Sequence, residues 1–266
     1  MSKRSSKGES ENKKQCIKEF KVTNKFKKMM EEVLPFVGKV LEQRKKDLSV
    51  SGWNDEKQEE FYKIMGLKGT EEMVHTYEVC DKNGGGRIKE TDKTSVIEFM
   101  RKSVDRLILI NSKLYIGEEG VLSAQYDEVG NPTDEEVYKY GNFVNKTYTN
   151  EFSAYVISSA TWNKDPKEYK ENLEINIGQN FVCKPLMGVN SKVSTICHEI
   201  SHFDRFGYIG DKIKGQWGGV GTDDLPLGDH KKDGKYITYA AELLENHSLD
   251  VFKNAYNFER YFQIIV

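Results

Sequence analysis

Within SKVSTICHEISHF, residues 191–203, two histidines stand four positions apart and a glutamate directly follows the first. On a helix, residues four apart project from one face, about a turn from each other. His198 and His202 can therefore close on a single metal ion. Glu199, offset by one position, falls beside such an ion and not on it. A carboxylate placed there serves as the base that takes a proton from metal-activated water, which is the chemistry of a zinc hydrolase. Val193, Ile196 and Cys197 add an apolar flank that would bury the helix against a sheet. The chain has only five histidines in 266 residues, so this pairing is its strongest chemical signal.

A catalytic zinc site needs three protein ligands and one open position. The metzincin pattern has its third histidine six residues after the second, and Tyr208 stands there instead, which excludes that class. A gluzincin would draw a glutamate from a following helix, and Glu242 in YAAELLEN is the candidate. The remaining choice is an aspartate in the intervening loop or at the next helix start. GTDDLPLG (221–228) offers Asp224, and DGKY (233–236) offers Asp233 together with Tyr236.

With HEISHF at 198–203 and NAYNFERYF at 254–262, the chain resembles the aspzincins, the family of deuterolysin and the fungal peptidyl-Lys metalloendopeptidases. FYKIMG (61–66), AYV (154–156) and the run from INIGQNF (175–181) into the histidine helix extend the resemblance over roughly residues 55–262. It implies a zinc endopeptidase acting on protein or peptide substrates, with an α+β, zincin-like fold, mostly helical with a small sheet. It also implies a third ligand from a Gly-Thr-x-Asp-x-x-Tyr-Gly motif whose tyrosine stabilises the transition state. This chain splits that motif. Asp224 follows Gly221-Thr222 but has Leu227 in the tyrosine place, whereas Asp233 has Tyr236 three residues on without the flanking Gly-Thr. The interval from Tyr236 to Asn254 agrees with the family, which favours Asp233 as ligand and Tyr236 as oxyanion donor, with Asp224 the alternative. A ligand mounted at a helix start is also more rigid than one in a loop. The family's lysine pocket uses two acids. Tyr256 replaces the first and Glu259 matches the second, so lysine preference does not carry over.

The elements that must hold these groups follow from periodicity and punctuation. KFKKMMEEVLPFVGKVLEQRKKD predicts an amphipathic helix with a break or kink at Pro35, and a second helix follows Asn54. Helical spacing also runs from Thr70 to Cys80 and from Thr94 to Ile110, with the glycine-rich DKNGGGR as a turn between two helices. Short alternating runs between Lys113 and Gln179 predict a small sheet. A helix from about Ser191 to Phe206, a Gly-rich loop from Gly207 to Gly234 and a long closing helix from about Tyr236 to Phe262 complete the reading. The domains are a basic tail, 1–22, and a catalytic domain, 23–266, comprising a helical part (about 23–112) and a sheet and active-site part (about 113–266).

DKNGGGRIKETD (81–92) has partial calcium-loop character, but Gly85 and Lys89 occupy ligand positions and Asp92 shortens the bidentate glutamate. It reads as a connection between helices. GQWGGVG (215–221) lacks the ending of a phosphate loop and reads, with His230, as cleft rim. Charged residues make up 31% of the chain and net charge is −2, a balance that names no nucleic-acid partner. The lysines of the tail have no interleaved aromatics for base stacking. No apolar run is long enough for a membrane span. MSKRSSKGESENKKQC has the charge of a signal peptide without its hydrophobic stretch. The expected route out of the cell is thus a specialised secretion system, as for a delivered effector or toxin, with any inhibitor or secretion partner unassigned. Four dispersed cysteines allow one or two disulfides but make no structural zinc site. The alternative to an enzyme is a zincin-fold binding protein that has lost turnover.

Overall fold

The computed structural model describes residues 23–80, 87–122, 125–126, 132–133, 137–147, 152–156, 173–203, 205–209, 212–215, 221–226 and 235–266. The expected basic tail, Asp233, His230 and most of the Gly-rich rim lie outside them. The chain is α+β, and among the described residues no helix is long and apolar enough to cross a membrane.

Helix α1, Thr23–Asp47, repeats apolar residues at helical spacing, and Phe26, Met30, Val33, Val37, Val40 and Leu41 are all buried. It runs unbroken past Pro35. Helix α2, Asp55–Met65, starts at Asn54, whose side chain accepts from the Lys57 amide, and stops at Gly66, whose φ of 72° suits a residue without a Cβ. Helix α3, Val96–Lys113, is capped by Ser95 and packs against α1.

Between α2 and α3 the helix expected over Thr70–Cys80 is instead a strand, β1 (Glu72–Cys80), paired antiparallel over its whole length with β2 (Arg87–Ser95). Val74, Thr76, Tyr77 and Val79 have strand-favouring side chains, and the nine-residue ladder outweighs the local helical spacing. A calcium loop needs helices on both sides. Here Asp92 is a ladder residue opposite His75, so the EF-hand geometry is absent, and the link from Cys80 to Arg87 joins two strands and not two helices.

Strands β3 (Glu119–Leu122), β4 (Gln125–Tyr126), β5 (Pro132–Thr133), β6 (Val137–Tyr140), β7 (Phe143–Lys146), β8 (Ala154–Val156) and β9 (Ile175–Gly178) fill the region expected to be a sheet. Five of them form one sheet in the order β3-β6-β7-β9-β8, which leaves β8 as an edge, antiparallel to β9. Strands β4 and β5 make a separate pair. Gly178 ends β9 directly against Phe152, so close that a Cβ would meet the Phe152 carbonyl oxygen. That close approach holds the start of β8 beside the short helix α4, Gln179–Val182.

Helix α5, Lys192–Ser201, begins in a capping box in which Ser191 and Ser194 satisfy each other's backbone amides. It ends at His202, short of the expected Phe206, because the Gly221 and Thr222 amides take up the Ser201 carbonyl. The chain then enters strands β10 (Arg205–Ile209) and β11 (Lys212–Gly215) where a loop was expected. Strand β11 joins β1, giving the sheet order β10-β11-β1-β2. The closing helix is also divided, into α6 (Lys235–Glu245), a 3-10 turn (Leu249–Phe252) and α7 (Ala255–Tyr261). His247 has a φ of 52°, a left-handed conformation that no α-helix continues through, and Ser248 and Asn254 each cap a new start.

Candidate metal centre and cleft

Helix α5 packs against α1 and α7 and is buried over nearly its whole surface, including His198 at 6% and Glu199 at 4% exposure. His198 and His202 lie on one face with ring centroids 4.9 Å apart. The carboxylate that joins them is Asp224, whose Oδ1 lies 3.1 Å from His198 Nε2 and 3.7 Å from His202 Nε2. One donor atom from each of the three residues falls within 4.8 Å of the others. A tetrahedral zinc with bonds near 2 Å separates its ligand atoms by roughly 3.3 Å, so the two measured separations bracket what the ion requires.

Asp224 is held from both sides and does not ride on a loose loop. Gly221 and Thr222 donate to Ser201 at the end of α5, with N···O distances of 2.6 and 3.0 Å. Asp223 pairs with the start of α7 through its amide to the Lys253 carbonyl at 2.8 Å and its carbonyl to the Ala255 amide at 3.0 Å. The rigidity that favoured Asp233 at a helix start is thus also available to Asp224. Asp233 itself lies outside the described residues. Glu242 is exposed on α6 and is not part of the three-residue group.

The far side of each imidazole is also occupied. His202 Nδ1 lies 2.7 Å from the Thr222 carbonyl, and donating there leaves Nε2 with its lone pair facing Asp224. His198 Nδ1 faces Glu259 Oε2 at 3.4 Å, slightly beyond an ordinary hydrogen bond, and Glu259 accepts from Ser194 Oγ at 3.0 Å. A carboxylate behind a metal-binding imidazole orients the ring and raises its basicity. The resemblance assigned Glu259 to a lysine pocket; its nearest partners are the histidine and this serine.

Electrostatics follow from crowding acids around buried rings. Burial opposes protonation of His198, but Asp224, Glu259 and Glu199 together outweigh it and raise its pKa to about 10. His202 goes the other way, lowered by burial and by His198. Glu199 is pushed up to about 7 by burial first, with Asp224 and Glu259 adding to the rise. A region that holds a proton so firmly on one imidazole is one where a cation is favoured, and a metal would displace that proton.

The cleft beside the group has a volume of about 720 Å³. Its walls include Ala154 of the edge strand, Thr195 and Glu199 of α5, and Tyr256 of α7. Tyr256 sets its ring edge-on to His198 at 4.9 Å and stacks at 5.2 Å on Tyr236, which stands in the first turn of α6. Lys184 was not anticipated from sequence. It lines the cleft, donates to Thr195 Oγ1 at 2.7 Å, and has its pKa lowered by burial against the opposing pull of Glu259 and Glu199. A lone lysine in FVCKPLMG carries no local pattern that would reveal this placement.

The chain matches no protein-family model and no curated protein.

Proposed function

We propose that the chain is a zinc-dependent endopeptidase with a zincin-like fold. The observation that carries this reading is the meeting of His198, His202 and Asp224 at ligand distance, with Glu199 as the adjacent buried acid in a cleft large enough for a peptide. A zinc ion held by those three residues would polarise a peptide carbonyl and lower the pKa of a bound water to about 7. Glu199 then takes the proton from the attacking water and delivers it to the leaving amine. Tyr236 donates a hydrogen bond to the developing oxyanion, a role worth about 3 kcal/mol in comparable sites. The exposed backbone of β8 holds an extended substrate by adding a strand to the sheet. Cys183 is disulfide-bonded, which fits a protein that works outside a reducing cytosol.

The test joins metal content to proteolysis. Zinc-loaded protein is expected to hold one ion per chain and to cut an unfolded protein substrate. Glu199→Gln is expected to lower kcat by about 10² to 10⁴ while retaining zinc. Stoichiometric zinc with no cleavage of any peptide pool would replace this reading with that of a binding protein on the same fold.

A further inference from the structure

We infer that the cleft selects a carboxylate on the residue next to the scissile bond, through Lys184 with Arg260. The inference rests on the peptidase reading for its context but concerns different residues. Lys184 and Arg260 both line the cleft, and neither makes an ion pair among the described residues. Lys184 spends one donor on Thr195, the residue one helical turn before His198 on the same face of α5. That leaves two ammonium hydrogens for a ligand. The acids of the cleft are shared: Asp224 meets the histidines, Glu259 lies between Ser194 and His198, and Glu259 and Glu199 pull on Lys184 without pairing with it. Once a divalent cation joins the group, the positive charges around the cleft outnumber the carboxylates. An incoming carboxylate both restores the balance and favours the charged form of the half-buried lysine. Tyr256 presents no charge that would draw a basic side chain.

Such a carboxylate has two sources: an aspartate or glutamate side chain, or the free C-terminus of a substrate cut one residue from its end. Peptides that differ only at the residue after the cleaved bond (Glu, Gln, Leu or Lys), each made with a free and with an amidated C-terminus, separate them. Wild type is expected to cut the Glu peptide with kcat/KM about tenfold or more above the Gln and Lys peptides, the effect of one charge-assisted hydrogen bond. A Glu-over-Gln preference that survives amidation identifies the side chain, and equal cleavage of the free Glu and Gln peptides that falls on amidation identifies the terminus. Lys184→Met should abolish the preference, Lys184→Arg should keep it, and Arg260→Gln should weaken it. Equal cleavage of Glu and Gln peptides whether the C-terminus is free or amidated, or an unchanged preference in Lys184→Met, overturns the inference and leaves the peptidase reading intact. If nothing is cleaved, binding still decides. Zinc-loaded protein should bind acetyl-glutamate amide more tightly than acetyl-glutamine amide, and Lys184→Met should remove the difference. Equal binding of the two, with acetyl-glutamine bound no more tightly when its C-terminus is free, sinks the subsite.

Discussion

Arg44 and His198 are both buried against α7, yet the charge around them is arranged in opposite ways. The Arg44 guanidinium donates to the Tyr261 carbonyl at 2.6 Å, pairs with Asp47 at 3.1 Å and Glu60 at 2.7 Å, and lies over the Tyr261 ring at 4.2 Å. Lys57 closes the cluster by pairing with Glu60 at 2.7 Å. Two cations meet two acids and the buried polar atoms find partners, so the cluster ties α1 and α2 to the last helix and has no place for anything more. Around His198 and His202, by contrast, Glu199, Asp224 and Glu259 converge on two rings that are neutral in their ordinary state at pH 7. A matched buried cluster is a fastening. An unmatched one favours a cation.

This contrast can be broken from either side. The largest effect is expected at the unmatched cluster, where Asp224→Ala should weaken zinc binding by more than about a hundredfold, beyond the loss typical of an outer-shell change. Competition with a chromophoric chelator measures it, and tight zinc retained in Asp224→Ala but lost in Asp233→Ala would move the third ligand to Asp233. Next comes the matched cluster. Arg44→Met leaves Asp47 to Gln43 and Lys57 and Glu60 to Lys57, and should cost about 2 kcal/mol in urea unfolding, less than a fully stranded buried charge, with zinc affinity of the folded protein unchanged. A cost below about 1 kcal/mol would show that the cluster is not the fastening described.

The smallest effect is a pH dependence. Burial pushes the Glu60 carboxyl up, but hydrogen bonds from Lys57 and Arg44 outweigh it and hold the pKa below the ordinary glutamate value. Its stabilisation is therefore present above about pH 4.5 and is lost as pH falls through the lowered value. Because Glu60 is partly exposed, Glu60→Gln should flatten the acid limb of the stability curve by less than about 1 kcal/mol.

The parts of the molecule that sequence made legible are those settled within a few residues. His198, Glu199 and His202 declare their geometry through spacing alone, and Asn54 and Gly66 mark the ends of α2 by their own backbone preferences. What escaped depends on distant partners. EMVHTYEVC has usable spacing for a helix and becomes β1 because β2 pairs with it residue by residue. Asp224 looked like part of a mobile loop because the bonds that fix it come from Ser201 and from the start of α7, about twenty and thirty residues away. The first break in the closing helix falls at a left-handed residue, His247, which has no glycine to announce it, and the second at the Asn254 cap.

That split has a consequence in time. Because α7 is a separate short helix, it must dock as a unit, and docking brings Tyr261 to Arg44 across 217 residues of sequence and Glu259 to Ser194 across 65. A nascent chain that has already exposed the two histidines still lacks the carboxylate behind His198 and the backbone partners that hold Asp224. The group of His198, His202 and Asp224 in such a chain is complete only after α7 has closed against it.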